Sequence, residues 1–343
     1  MLATDAFKPM NKMETSRTYR FHGLEFRVRC SAAMGAFLDD RFRVLPPEGD
    51  LRGTISLDFW SVPDPSQHCV EKPPGQERIF YDFPRGEACS FETGDQLYLR
   101  FENGVRVLGS PGLGYASFSL VELEPANLFM ASHLMLTILL VEFLKRRGCY
   151  SMHAAGFSKN GKAILLPGGS GAGKSTLSIT LLRSGFDYLS DDMVYLRRAA
   201  GDLTVLGFPE GVDVTDQTIT FFPELVFLRN APKSVAWAKQ SVRPEEVYAA
   251  KVVREAHPGA IVFPKISGKE RSDVRPINTK EAFREIIANL LLTEARSCQS
   301  HLDILTELVR QTPCYRLETG RDFDRIPILL ADLLSVSREE IHA

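Results

Sequence analysis

The chain has 343 residues, 44% hydrophobic and 24% charged, with 41 Lys and Arg against 43 Asp and Glu for a net charge of −2. This composition excludes a disordered or fibrous chain and has the length for two domains, and without a basic excess it argues against a nucleic-acid partner. Six scattered cysteines with no C-x-x-C pair predict reduced thiols in a cytoplasmic protein rather than a secreted disulfide framework.

The first 17 residues show no signal-peptide apolar core. From about residue 17 the sequence predicts a β-rich, antiparallel N-terminal module spanning residues 1–122. Tyr19–Arg29 alternates apolar and polar side chains. Gly53–Val62, Arg78–Phe83, Gln96–Phe101 and Val105–Leu108 are short strand segments separated by Gly, Pro, Asp and Asn. Trp60, Tyr98 and Arg100 carry no motif spacing and read as packing or solvated surface. The module's position and its lack of catalytic motifs suggest substrate docking.

Ala126–Val141 is uncharged and rich in Leu, Met and Ile. It falls short of the ~20 residues needed to span a bilayer, and His133 interrupts it. Lys145-Arg146-Arg147-Gly148 then supplies terminal cations and a glycine stop. A buried core helix is expected here, with no membrane partner, opening an α/β domain over residues 123–343. Cys149–Ser158 reads as a strand, and Asn160-Gly161 as a hairpin turn.

The most specific signal follows. Gly168, Gly169, Ser170, Gly171, Ala172, Gly173, Lys174, Ser175 and Thr176 fit the P-loop (Walker A) pattern G-x-x-x-x-G-K-S/T. The glycines let backbone N–H groups close on phosphate oxygens. Lys174 reaches the β/γ-phosphates, and the Ser175 hydroxyl is suited to Mg²⁺. The context is right: an apolar strand, Ala163–Pro167, comes before, and a helical pattern stopping at Ser184-Gly185 comes after. ATP and Mg²⁺ are the expected cofactors. Further strands are expected at Thr204–Phe208 and Ala260–Phe263, and helices at Thr279–Thr293, Ser300–Gln311 and Ile326–Leu334.

Phosphoryl transfer also needs carboxylates near the γ-phosphate. Asp191 and Asp192 lie 17 and 18 residues beyond Lys174, at the end of the next expected strand. Neighbours on a strand point to opposite faces, so the pair divides between metal binding and proton acceptance. His153 lies one strand ahead of the loop. Lys265, Lys269, Arg271 and Arg275 form a basic patch, and Lys265 or Arg275 is the candidate for a phosphate contact.

Met152-His153, the loop Gly168–Ser175, Gly185-Phe186 and Asp191-Asp192 occur in the order and near the spacing of the HPr kinase/phosphorylase catalytic core. The stretch from His153 to Asp192 resembles most the HPr kinase-related branch, which occurs beside PqqD-like peptide chaperones and is related to peptide kinases. The resemblance is strong over about 45 residues and weak over 123–343. It implies an HPr kinase-like P-loop domain, a mixed sheet flanked by helices, behind a β-rich module. It implies Asp191 as general base, Asp192 with Ser175 on the metal side, His153 as orienter, and Lys174 on the donor. A peptide or protein substrate follows, with a PqqD-like chaperone as companion and room for a homo-oligomer. The N-terminal half does not resemble that of HPr kinases. The segment Leu206–Asp213 has no arginine where true HPr kinases carry an Arg-Gly element for phosphorolysis. Reverse transfer and HPr itself are therefore not expected, and Glu210 is the nearest further carboxylate for a metal. A Ser/Thr hydroxyl kinase is the leading expectation. A small-molecule kinase, or a nucleotide-dependent switch without phosphotransfer, are the alternatives.

Overall fold

The computed structural model describes residues 14–42, 51–63, 68–83, 86–91, 95–102, 104–121, 125–169, 171–199, 201–208, 210–230, 239–290 and 297–335. The chain is a mixed α/β protein of two compact units, one built on Met1–Arg147 and one on Gly148–Leu290 with Gln299–Ala343. The expected boundary at 122/123 lies outside the described residues. The helical stretch after it belongs to the first unit.

In the first unit an eight-stranded sheet runs in the order β1-β2-β3-β8-β7-β6-β5-β4. Its strands are β1 (Thr15–Phe21), β2 (Leu24–Cys30), β3 (Gly53–Val62), β4 (Glu77–Phe83), β5 (Gly86–Phe91), β6 (Gln96–Phe101), β7 (Val105–Ser110) and β8 (Tyr115–Val121). The expected continuous strand Tyr19–Arg29 is instead a hairpin. His22 and Gly23 both take positive φ (57° and 77°), the geometry of a tight two-residue turn, and His-Gly is a weaker sequence signal for it than Asn-Gly. The expected antiparallel arrangement also needs correction, because β2–β3 and β3–β8 pair in parallel. Parallel neighbours need a crossover, and helix α1 (Ala32–Phe42), absent from the sequence reading, lies between β2 and β3.

Helix α2 (Pro125–Met130), a π turn (Ala131–Met135) and helix α3 (Leu136–Lys145) form one 21-residue stretch, with an 18-residue window of mean hydropathy 1.7. By length and composition it is sufficient to cross a membrane, and it is mostly buried inside the structure. His133 does not break it. The wider π turn takes carbonyls out of the regular ladder, and the Arg41 guanidinium donates to the Ser132 and His133 oxygens and to Thr137 Oγ1. Burial holds the His133 imidazole neutral, with its pKa pushed down to about 3.

The second unit is organised by two long strands, β9 (Cys149–Lys159) and β16 (Glu255–Ile266). Between them come β10 (Lys162–Pro167), helix α4 (Lys174–Arg183), β11 (Asp187–Ser190), β12 (Met193–Ala199), β13 (Asp202–Leu206) and β14 (Val212–Val214). Helix α5 (Asp216–Phe221), β15 (Gln240–Val242) and the short helix α6 (Pro244–Val247) complete that stretch. After β16 come β17 (Asp273–Pro276), α7 (Thr279–Ile287), α8 (Cys298–Gln311), β18 (Cys314–Thr319) and α9 (Ile326–Leu333). The first residues of β9 pair with β12, and the rest with β10 and β11. β16 starts against β13, then runs parallel to β10 and to β18.

Side-chain alternation on the central strands divides the core. Ile164 and Leu166 of β10, with Ala260 and Val262 of β16, pack against α4 and α9. Ala163, Leu165, Ile261 and Phe263 face the opposite side, against α7 and α8. Strands buried on both faces explain why this half reads as short continuous apolar runs rather than alternating ones.

Candidate functional site

The glycine-rich loop leaves β10 at Pro167 and enters α4 at Lys174. Ser170 lies outside the described residues. Gly173, just before the helix, has φ 91°, a left-handed conformation, and a Cβ there would stand 3.4 Å from Ile266 Cγ1. A glycine is required at that point. Ser175 and Thr176 occupy the first turn of α4, half-buried, and Thr176 Oγ1 lies 3.4 Å from Thr218 Oγ1 of α5. Among the described residues no acid or capping side chain satisfies the start of α4.

Lys174 folds back over the loop. Its ammonium donates to the Gly168 carbonyl, lies 3.4 Å from Gly169 O and 3.3 Å from His153 Nε2. His153 Nε2 is in turn 3.5 Å from Asp192 Oδ1. Burial lowers the pKa of both Lys174 and His153, with the Asp192 charge acting in the opposite direction on each. The imidazole is thus held below its usual range and accepts from the ammonium.

Strand register brings these groups together. His153 is the cross-strand partner of Met193, the residue directly after Asp192. The Asp191-Asp192 turn between β11 and β12 is braced by Ser190, whose hydroxyl lies 2.6 Å from Met193 O and 2.8 Å from Phe208 O. The two carboxylates then separate. Asp191 is buried: Ser178 Oγ of α4 donates to its Oδ1 (2.8 Å) and the Asp213 N–H to its Oδ2 (3.2 Å). Burial, reinforced by the Asp192 charge, raises its pKa to about 7. The Asp192 side chain is 65% exposed and faces His153.

Asp213 and Lys239 also stand at this site, and the sequence reading singled out neither. Asp213 lies on β14 between Val212 and Val214, both in the core, so its side chain faces the opposite way. Burial raises its carboxyl to about 6, Glu210 and Asp192 add to that, and Lys239 opposes it. The apolar–acid–apolar triplet Val212-Asp213-Val214 was the available signal. Glu210 itself offers its carbonyl to Tyr188 Oη, at 2.5 Å. The basic patch is only partly drawn in. Lys265 precedes Ile266, the residue lying against Gly173, whereas Arg275 is on β17, the edge strand beyond β18, and Lys269 pairs with Glu318.

Among the described residues no three His, Cys, Asp or Glu side chains are grouped to hold a metal by themselves. Mg²⁺ commonly takes one or two protein oxygens and completes its shell with water and substrate phosphates. The hard-oxygen set of Ser175 and the aspartate pair fits such an ion.

No family model matches the chain. A curated relative, the heavy metal tolerance protein of Schizosaccharomyces pombe, is 31% identical over 173 residues, covering 47% of this chain. The chain spans only about a fifth (19%) of that relative's length. Among solved structures, the Hpr(Ser) kinase/phosphatase from Coxiella burnetii is similar over 56% of this chain and 92% of its own, at 14% identity and a TM-score of 0.32.

Proposed function

We propose that the second unit is an ATP- and Mg²⁺-dependent phosphotransferase of HPr kinase-like type, acting on a Ser or Thr hydroxyl of a peptide or protein. One observation carries the reading: Lys174, His153 and Asp192 form a continuous chain of contacts at 3.3 and 3.5 Å over a glycine-rich strand–loop–helix, with Asp191 buried behind them. Catalysis of this kind needs positioning and charge stabilisation more than covalent chemistry, and these groups supply both.

The geometry favours a division of the aspartates opposite to the one the resemblance implies. Asp192 is open to an acceptor and takes the hydroxyl proton. Asp191, bonded to Ser178 one turn beyond Ser175 on α4, lies with Ser175 on the side that would hold Mg²⁺. The ion would neutralise developing charge on the phosphates. Lys174 leaves the loop carbonyls and His153 for the β/γ-phosphates, and His153, then in its Nε2–H form, donates to Asp192 Oδ1 and orients it.

The reading is tested with γ-labelled ATP and Mg²⁺ in an extract of the source cells, separating protein-bound from small-molecule label. Label on a protein or peptide is expected. Label only on water would sink the kinase reading, and label on a small molecule would replace the acceptor class.

A further inference from the structure

We infer that Lys239, the residue just before β15, is a second phosphate-binding cation of this site and contacts the terminal phosphate of the bound nucleotide together with Lys174. The inference rests on the nucleotide reading of the loop and adds to it a residue outside every motif in the sequence.

The placement follows from register. β14 and β15 pair antiparallel, with Asp213 opposite Ser241 and Val214 opposite Gln240. Val212, Val214 and Val242 pack into the core and Gln240 is buried, while Ser241 is exposed. Lys239 stands one residue before β15, and continuing that strand's alternation puts it on the same face as Ser241 and Asp213. That face is fixed to the catalytic turn, because the Asp213 N–H donates to Asp191 Oδ2 and β14 packs on α4. Lys239 is half-buried and makes no hydrogen bond or ion pair with another described residue. Its charge is nonetheless felt by Lys174, His153 and Asp213, which lie on three different elements.

Two ammonium groups whose charges bear on one another are suited to hold a dianionic terminal phosphate between them, beside the partly offsetting charge of Asp213. The segment Leu206–Asp213, which runs into β14, has no arginine. Lys239, the residue ahead of β15, supplies positive charge there, as a point charge suited to phosphate.

The test is calorimetric binding of MgATP and MgADP to the full chain, with Lys239→Met and Lys239→Arg. The wild-type chain is expected to prefer MgATP. Lys239→Met should weaken MgATP by about 10- to 100-fold with MgADP little changed, and Lys239→Arg should recover most of the loss. Equal losses for both nucleotides would mark a structural role and overturn the inference. So would an unchanged preference for MgATP in Lys239→Met, which would leave the nucleotide reading standing. If the wild-type chain binds neither nucleotide, the nucleotide reading fails and this inference with it.

Discussion

At the scale of single residues, the two adjacent aspartates are chemically unlike. Asp192 is exposed and Asp191 is buried under two hydrogen bonds, so their amide substitutions should separate. Asp192→Asn is expected to lower phosphotransfer by at least about 100-fold while MgATP still binds, whereas Lys174→Ala should abolish both. Calorimetry beside a label-transfer assay checks the pair, and transfer surviving in Asp192→Asn would remove it from the base's role. Asp191 also makes a pH prediction. Its carboxyl pKa rises from an ordinary 3.8 to about 7 on folding. Below the lower value both states hold the proton, and the contribution to stability is complete. As pH rises through the upper value the folded state must ionise a buried group, and the contribution is lost. Metal-free protein should therefore lose thermal stability between about pH 4 and 7 relative to Asp191→Asn. Parallel melting curves across that window would disprove the burial assigned to this carboxyl.

At the scale of elements, the site depends on turns that set strands and helices in place. The Ser190 hydroxyl spans from the Asp-Asp turn to Phe208, fixing where β11 ends and β12 begins. Ser190→Ala leaves a buried carbonyl without that donor and should cost about 1–3 kcal/mol in chemical denaturation, with a larger loss of transfer than of MgATP binding. A fully wild-type stability would show that the brace is dispensable. The elements legible in the sequence were those whose signal is local. The Asn160-Gly161 hairpin, the Asn278 cap on α7 (its Oδ1 accepts from Glu281 N at 2.9 Å) and β3 and β6 fall where spacing and capping chemistry put them. Helix α1 and the parallel pairing of β2, β3 and β8 were not legible. Whether two strands run parallel is decided by the intervening crossover, and α1 lacks a strong apolar stripe along its sequence.

At the scale of the whole molecule, the first unit buries an ion pair in its long apolar helix. Glu142 and Lys145 both have wholly buried side chains and contact each other one turn apart. Such a pair adds little over an apolar replacement, yet removing one partner leaves a buried charge less well compensated. Lys145→Met is expected to destabilise the unit by about 3–5 kcal/mol, and adding Glu142→Leu should restore much of that. A single substitution as mild as the double one, measured by denaturant unfolding, would overturn this account. The sequence by itself determined the strand–loop–helix around Lys174, the Asp191-Asp192 pair and the α/β character of the second half. These are contained within short windows where spacing dictates geometry. Only the tertiary structure decided that His153 meets Asp192 across the β9–β12 register and that Asp191 is the buried member of its pair. It alone brought Asp213 and Lys239 to the same site, beside the β14–β15 pairing. Those relations join residues far apart in the chain through strand pairing and burial, which no local pattern encodes.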